Sequence, residues 1–119
     1  MGTYAGQGDY AELWELRVAL AEALDRKRKS GFQLAENEQK YKVAKAKLEL
    51  RLRAQNMPAT LIRDLVRGDE EVAALAFARD CAQVTYDTEQ EVINAVKKNI
   101  GIVQDQINHE WAAIPHTQQ

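Results

Sequence analysis

Between Asp9 and Ala113 this chain carries one proline, Pro58, and three glycines, at positions 31, 68 and 101. Proline removes a backbone donor and glycine costs ~1 kcal/mol relative to alanine inside a helix, so their scarcity leaves long stretches with nothing to stop a helix. Those stretches are rich in Ala, Leu, Glu, Lys, Arg and Gln, the residues with the strongest helical preference. At 119 residues with 45% apolar side chains, the chain can bury one core and is too apolar for a disordered segment. The fold expected is all-α.

The punctuation sets the element boundaries. Residues 1–8 are small and polar, and a flexible N-terminus is expected there. Asp9 with Glu12 three residues on has capping-box spacing. An apolar seam then runs through Leu13, Leu16, Leu20, Leu24, Leu34, Tyr41, Leu48 and Leu52, at spacings that place these side chains on one helical face. Basic residues before Gly31 resemble a helix end. The seam resumes in phase at Leu34 with no N-cap, however, so a continuous helix over about 10–56 is expected. Pro58 suits the first turn of a new helix, over 58–67, with Gly68 beyond its end. Asp69 caps a third helix over 70–113, with Pro115 past it. Residues 114–119 form an expected flexible tail.

The third helix has the more regular repeat. Ala82, Tyr86, Glu89, Ile93, Val96, Ile100, Val103 and Ile107 alternate spacings of four and three, a heptad seam with Glu89 as its one charged member. Two seamed helices joined by a short third one predict a single helical-hairpin domain over 9–113, coiled-coil-like, with the long helices antiparallel.

Charge supports the pairing. Residues 1–60 hold eleven Lys/Arg and eight Asp/Glu, a balance of +3, and residues 61–119 hold five and ten, a balance of −5. A connection centred near residue 62 sets residues 26–53, basic, beside 71–98, acidic in their first half. It sets residue 26 beside 98, and brings Trp14 to Trp111. Exposed pairs contribute ~0–1 kcal/mol each, so their effect is on alignment more than on stability.

Apolar residues also lie off the seams: Val43, Ala46 and Leu50 on the first helix, Val92, Ala95 and Ile102 on the third. A wide apolar arc belongs to a bundle, so self-association into a homodimeric four-helix bundle is expected through these six residues. Arg26, Lys27, Arg28, Lys29, Lys40, Lys47 and Arg51 are the candidate surface for a protein partner or nucleic acid. The acidic balance and the lack of aromatic-interleaved basic segments disfavour nucleic acid.

No catalytic, cofactor or metal site is expected. His109-Glu110 begins like a zinc motif, but no histidine follows four residues on. Gln106 stands where a di-metal Glu-x-x-His pair needs glutamate, and His116 lies in the tail. Glu38 and Glu89 read as register-setting carboxylates. The lone Cys81 reads as a small helix-packing residue. No membrane-spanning run or signal segment is evident, which suits the cytoplasm.

The stretch 41–111 carries a lysine-rich helix, the connection Pro58-Ala59-Thr60-Leu61-Ile62, the run Arg67-Gly68-Asp69-Glu70-Glu71-Val72-Ala73, and a helix ending Gln106-Ile107-Asn108-His109-Glu110-Trp111. It resembles small helical proteins encoded by phages, prophages and mobile elements of Gram-positive bacteria. The resemblance implies no catalytic residues. It implies action inside a bacterial host cell by binding a host-defence, recombination or replication protein.

Overall fold

A computed structural model describes residues 7–113. Helix α1 spans Gln7–Ala54, α2 Ala59–Gly68 and α3 Glu70–Ala113, and no strand occurs among the described residues. Residues 1–6 and 114–119 lie outside them, as do Pro115 and His116.

Helix α1 begins two residues before the expected Asp9 cap, which places Asp9 within its first turn and makes residues 7 and 8 helical. A carboxylate suits that turn because the helix dipole is positive there. The helix continues through Gly31 without a break. It stops where Asn56 takes a left-handed φ of 59°. The Asn56 N–H donates to the Arg53 carbonyl at 3.0 Å, and the Met57 N–H donates to the Leu52 carbonyl at 3.3 Å. These two bonds form a Schellman motif, and Met57 makes the accompanying apolar contact against the cluster that holds Leu52.

Pro58, with φ −59° and ψ 143°, is the N-cap of α2 rather than its first helical residue. Gly68 is the last residue of α2 and not the residue after it, because the extended Asp69 (φ −65°, ψ 132°) ends the helix without a left-handed position. The Asp69 carboxylate accepts from the Val72 N–H at 3.0 Å and its carbonyl accepts from the Ala73 N–H at 2.8 Å, so it starts α3 as expected.

The contacts divide the chain into two compact units. Unit 1 holds α1 up to Lys27 and α3 from Glu89 onward; unit 2 holds Arg28–Thr88. Within each, α1 and α3 run antiparallel. In unit 1 Tyr10 meets Trp111 and Arg26 meets Glu89. In unit 2 Gly31 approaches Tyr86, and Arg79 lies over the Tyr41 ring at 4.3 Å.

The pairing differs from the expected one: Tyr10, rather than Trp14, meets Trp111, and the Arg26 side chain reaches Glu89 rather than residue 98. The centre of the turn is set by packing rather than by the midpoint of the connection. Leu48 and Leu52 of α1, Ile62 and Val66 of α2 and Val72 of α3 form one buried cluster, with Tyr41, Ala44 and Met57 against it. Bringing Val72 to the level of Leu48 leaves the last turn of α1 for α2 to cover.

The α3 seam is as read from sequence, and it extends. Val72, Leu75, Arg79, Ala82 and Tyr86 in unit 2 are buried or half-buried, as are Glu89, Ile93, Val96, Ile100, Val103, Ile107 and Glu110 in unit 1. Helix α1 differs from the reading: Leu24 is 49% exposed and Ala23 fully buried in its place. The buried or half-buried row is Leu13, Leu16, Leu20, Ala23 and Lys27 in unit 1, then Ser30, Leu34, Asn37, Tyr41, Ala44 and Leu48 in unit 2. Its spacing alternates three and four throughout, so both long helices carry a heptad seam. In α1 that seam passes through small and polar residues.

Candidate interaction surfaces

The basic run of α1 is partly engaged within the fold. The Arg26 Nε–H is shared between the two Glu89 oxygens at 3.1 and 3.3 Å. The Glu89 side chain is only 17% exposed, so this pair lets a carboxylate occupy the seam. Lys27 donates to the Gln90 side chain. Arg26 and Lys27 thus bond α3 within unit 1, and the Arg26 side chain remains 51% exposed. In unit 2 the Arg28 guanidinium sits 6.0 Å from the Phe32 ring and Lys40 pairs with Glu36 at 3.1 Å along the same helix. Lys29, Lys47 and Arg51 are exposed. Glu38 pairs locally with Lys42 at 3.7 Å.

Of the six expected self-association residues, Val43, Ala46 and Leu50 are exposed in unit 2. Ala95 and Ile102 are exposed in unit 1, where Val92 is half-buried. The six are thus split between the units. Cys81 is exposed, contrary to the packing role read for it, because it points away from the α3 seam.

Sequence reasoning missed a groove in unit 2. Its volume is about 530 Å³, and it lies between the C-terminal half of α1 and α2. Lys45 and Arg53 of α1 and Arg63 and Arg67 of α2 line it, with Glu49 the one carboxylate. Arg53, Arg63 and Arg67 make no ion pair among the described residues. Ile62, Val66 and Val72 form its apolar floor. The signal was hidden because Arg63 and Arg67 look like two isolated charges until α2 folds against α1.

The far end of unit 1 is aromatic. The Trp111 indole N–H donates to the Tyr10 hydroxyl at 3.1 Å. Tyr10, rather than Trp14, is the partner of Trp111; the register shift moves the contact by about one turn. Trp14 is 68% exposed and Trp111 58%. Nearby, Asp9, Asp105, His109 and Glu110 line a shallow hollow with Ile102. Partial burial, and then a hydrogen bond and like charge from Asp9, hold the Glu110 carboxyl above its ordinary value.

No family model, curated protein or solved structure matches the chain. No helix is long and apolar enough to cross a membrane among the described residues. Nor do the described residues include a group of three or more His, Cys, Asp or Glu able to hold a metal.

Proposed function

We propose that this chain is a non-enzymatic, phage- or prophage-type interaction module that binds a host-defence, recombination or replication protein inside a bacterial host cell, and that it works as a homodimer. The observation that carries the reading is the aromatic end of unit 1. Tyr10, Trp14 and Trp111 are all exposed there, and a Tyr–Trp hydrogen bond holds two of them in place. Trp and Tyr are the side chains most often found at energetic hot spots, since they bury large area with few rotatable bonds. Solvation alone gives no reason to display three such rings on one end of a helix pair. The resemblance to phage-encoded helical proteins supplies the setting.

The test is affinity capture from a host lysate with the chain and with a Trp14→Ala/Trp111→Ala variant whose helical circular dichroism is intact. The reading expects a defined partner with the parent chain, lost with the variant. Recovery of no partner, or a partner retained undiminished by the variant, overturns it.

A nucleic-acid accessory role is the second reading, favoured by the unpaired cations of the unit 2 groove. It expects binding to DNA or RNA that weakens with salt, as counterion release requires, and that falls on charge reversal at Arg63 and Arg67. No mobility shift at low salt removes it.

A further inference from the structure

The outer face of α3 in unit 2 repeats the heptad spacing that its inner face uses. Glu70, Ala73, Phe77, Asp80, Val84 and Asp87 follow at three and four residues, and all six are exposed. Such spacing puts them in one row along a helix. Phe77, at 70% exposure, and Val84 are large apolar groups left in solvent. Three acidic residues, Glu70, Asp80 and Asp87, share the row with Ala73, Phe77 and Val84, and Asp80 is also paired with Arg79 at 3.0 Å. This is the pattern of a helix face built to lie in a groove that is apolar below and basic at its rims.

The α1–α2 groove has that chemistry. We infer that the outer row of α3 from a second copy docks in the groove lined by Lys45, Arg53, Arg63 and Arg67, reciprocally, so that two copies form a twofold dimer. The inference rests on the homodimer reading and names its surface, which is not the six-residue surface expected from sequence. Spacing agrees with it. Asp80 and Asp87 are seven residues apart, about 10 Å along a helix, and Lys45 and Arg53 are eight apart, about 12 Å. Charge selects the pairing. Two α3 rows laid face to face would set Asp80 and Asp87 against their own copies when parallel, and Glu70 against Asp87 when antiparallel and fully overlapped, arrangements that like charges oppose. Laid in the groove, each row meets four cations, none of which has an ion-pair partner among the described residues.

The groove is less suited to nucleic acid. Its one aromatic ring, Tyr41, has Arg79 over it at 4.3 Å and Lys45 at 5.9 Å, which leaves little of the ring for base stacking. An apolar floor gains from apolar side chains, and a phosphate backbone has none to offer.

Sedimentation velocity of the full chain across a concentration series tests the inference, with circular dichroism to establish that each variant is folded. The parent chain is expected to dimerise. Arg63→Glu/Arg67→Glu and Asp80→Lys/Asp87→Lys should each weaken the dimer by at least about tenfold, and the four changes together should recover most of that loss, as a coupled charge swap does. Phe77→Ala should weaken it without changing its salt dependence. A parent chain that stays monomeric at high micromolar concentration overturns both this surface and the homodimer reading. A dimer untouched by either double variant overturns this surface alone. So does a dimer lost only on Val43→Lys/Leu50→Lys, which would place the contact on the strip expected from sequence. A short DNA duplex bound by the parent and lost with Arg63→Glu/Arg67→Glu, dimerisation unchanged, would assign the groove to a polyanion and also overturn the inference.

Discussion

Two glycines in helix interiors differ in what surrounds them. A Cβ at Gly101 meets nothing within 4 Å, whereas one at Gly31 lies 3.2 Å from the Tyr86 ring. Gly101→Ala is expected to stabilise the fold by ~1 kcal/mol, the ordinary helical gain. Gly31→Ala should gain less, since the half-buried Tyr86 ring must shift. Urea unfolding of the two variants measures the difference, and equal gains would mean the Tyr86 contact costs nothing. Glu110 offers a pH test. Its carboxyl is held above the ordinary 4.5, first by partial burial and then by Asp9, with His109 opposing. The folded chain therefore holds this proton more tightly than the unfolded chain. Stability falls as pH rises from 4.5 through the raised value. Glu110→Gln should flatten that fall in urea midpoints taken between about pH 4 and 7. A variant with the parent's pH profile would remove Glu110 as its cause.

At the scale of elements, the joints are made by single residues. Asp69 ends α2 with its extended backbone and starts α3 with its carboxylate at the Val72 N–H. Asp69→Ala should cost ~1 kcal/mol through the lost cap, and Asp69→Asn or Asp69→Ser should restore most of it. Thermal unfolding of the three variants checks this; loss in all three would point to the backbone instead. Ile93, 2% exposed, is the most deeply buried large side chain among the described residues. Ile93→Ala should cost about 2–5 kcal/mol, a figure typical of a buried aliphatic in a seam that cannot collapse. Removing a side chain from the outer row, such as Val84→Ala, should leave the thermal midpoint of dilute protein nearly unchanged. The boundary residues were legible because capping and breaking act over one turn. Asn56, Pro58 and Asp69 each act through bonds to neighbours within a few positions. Helix α1 starts two residues before Asp9, whose carboxyl faces Glu110.

At the scale of the whole molecule, the described residues present two exposed faces of different character. The end of unit 1 is aromatic and the groove of unit 2 is basic. Dimerisation through the groove should weaken as salt rises from about 0.05 to 0.5 M, because exposed charge pairs are screened over a Debye length of ~10 Å at 0.1 M. Binding through Tyr10, Trp14 and Trp111 should be nearly indifferent to salt over the same range. Titrations of both activities in parallel separate the two surfaces, and a matching salt response would mean that they are one.

What the sequence determined by itself is local or strongly periodic. Helix content, the breaks at Asn56–Pro58 and Gly68–Asp69, and the seam of α3 all follow from propensity, capping and an apolar repeat that stands out from its surroundings. Tertiary structure decided the rest. The α1 seam runs through Ala23, Lys27, Ser30 and Asn37, which no search for large apolar residues would choose. Of these, Lys27 bonds Gln90 of α3 and Asn37 bonds the Gln33 carbonyl of its own helix, while Tyr86 of α3 lies against the neighbouring Gly31. The register followed from how five aliphatic side chains of three helices fill one volume, and charge pattern fixed it only loosely. The groove came from residues as far apart as Lys45 and Arg67, and their proximity exists only after α2 has folded back. Local signals act through bonds within a turn, whereas a surface is assembled by packing, and packing is decided between elements.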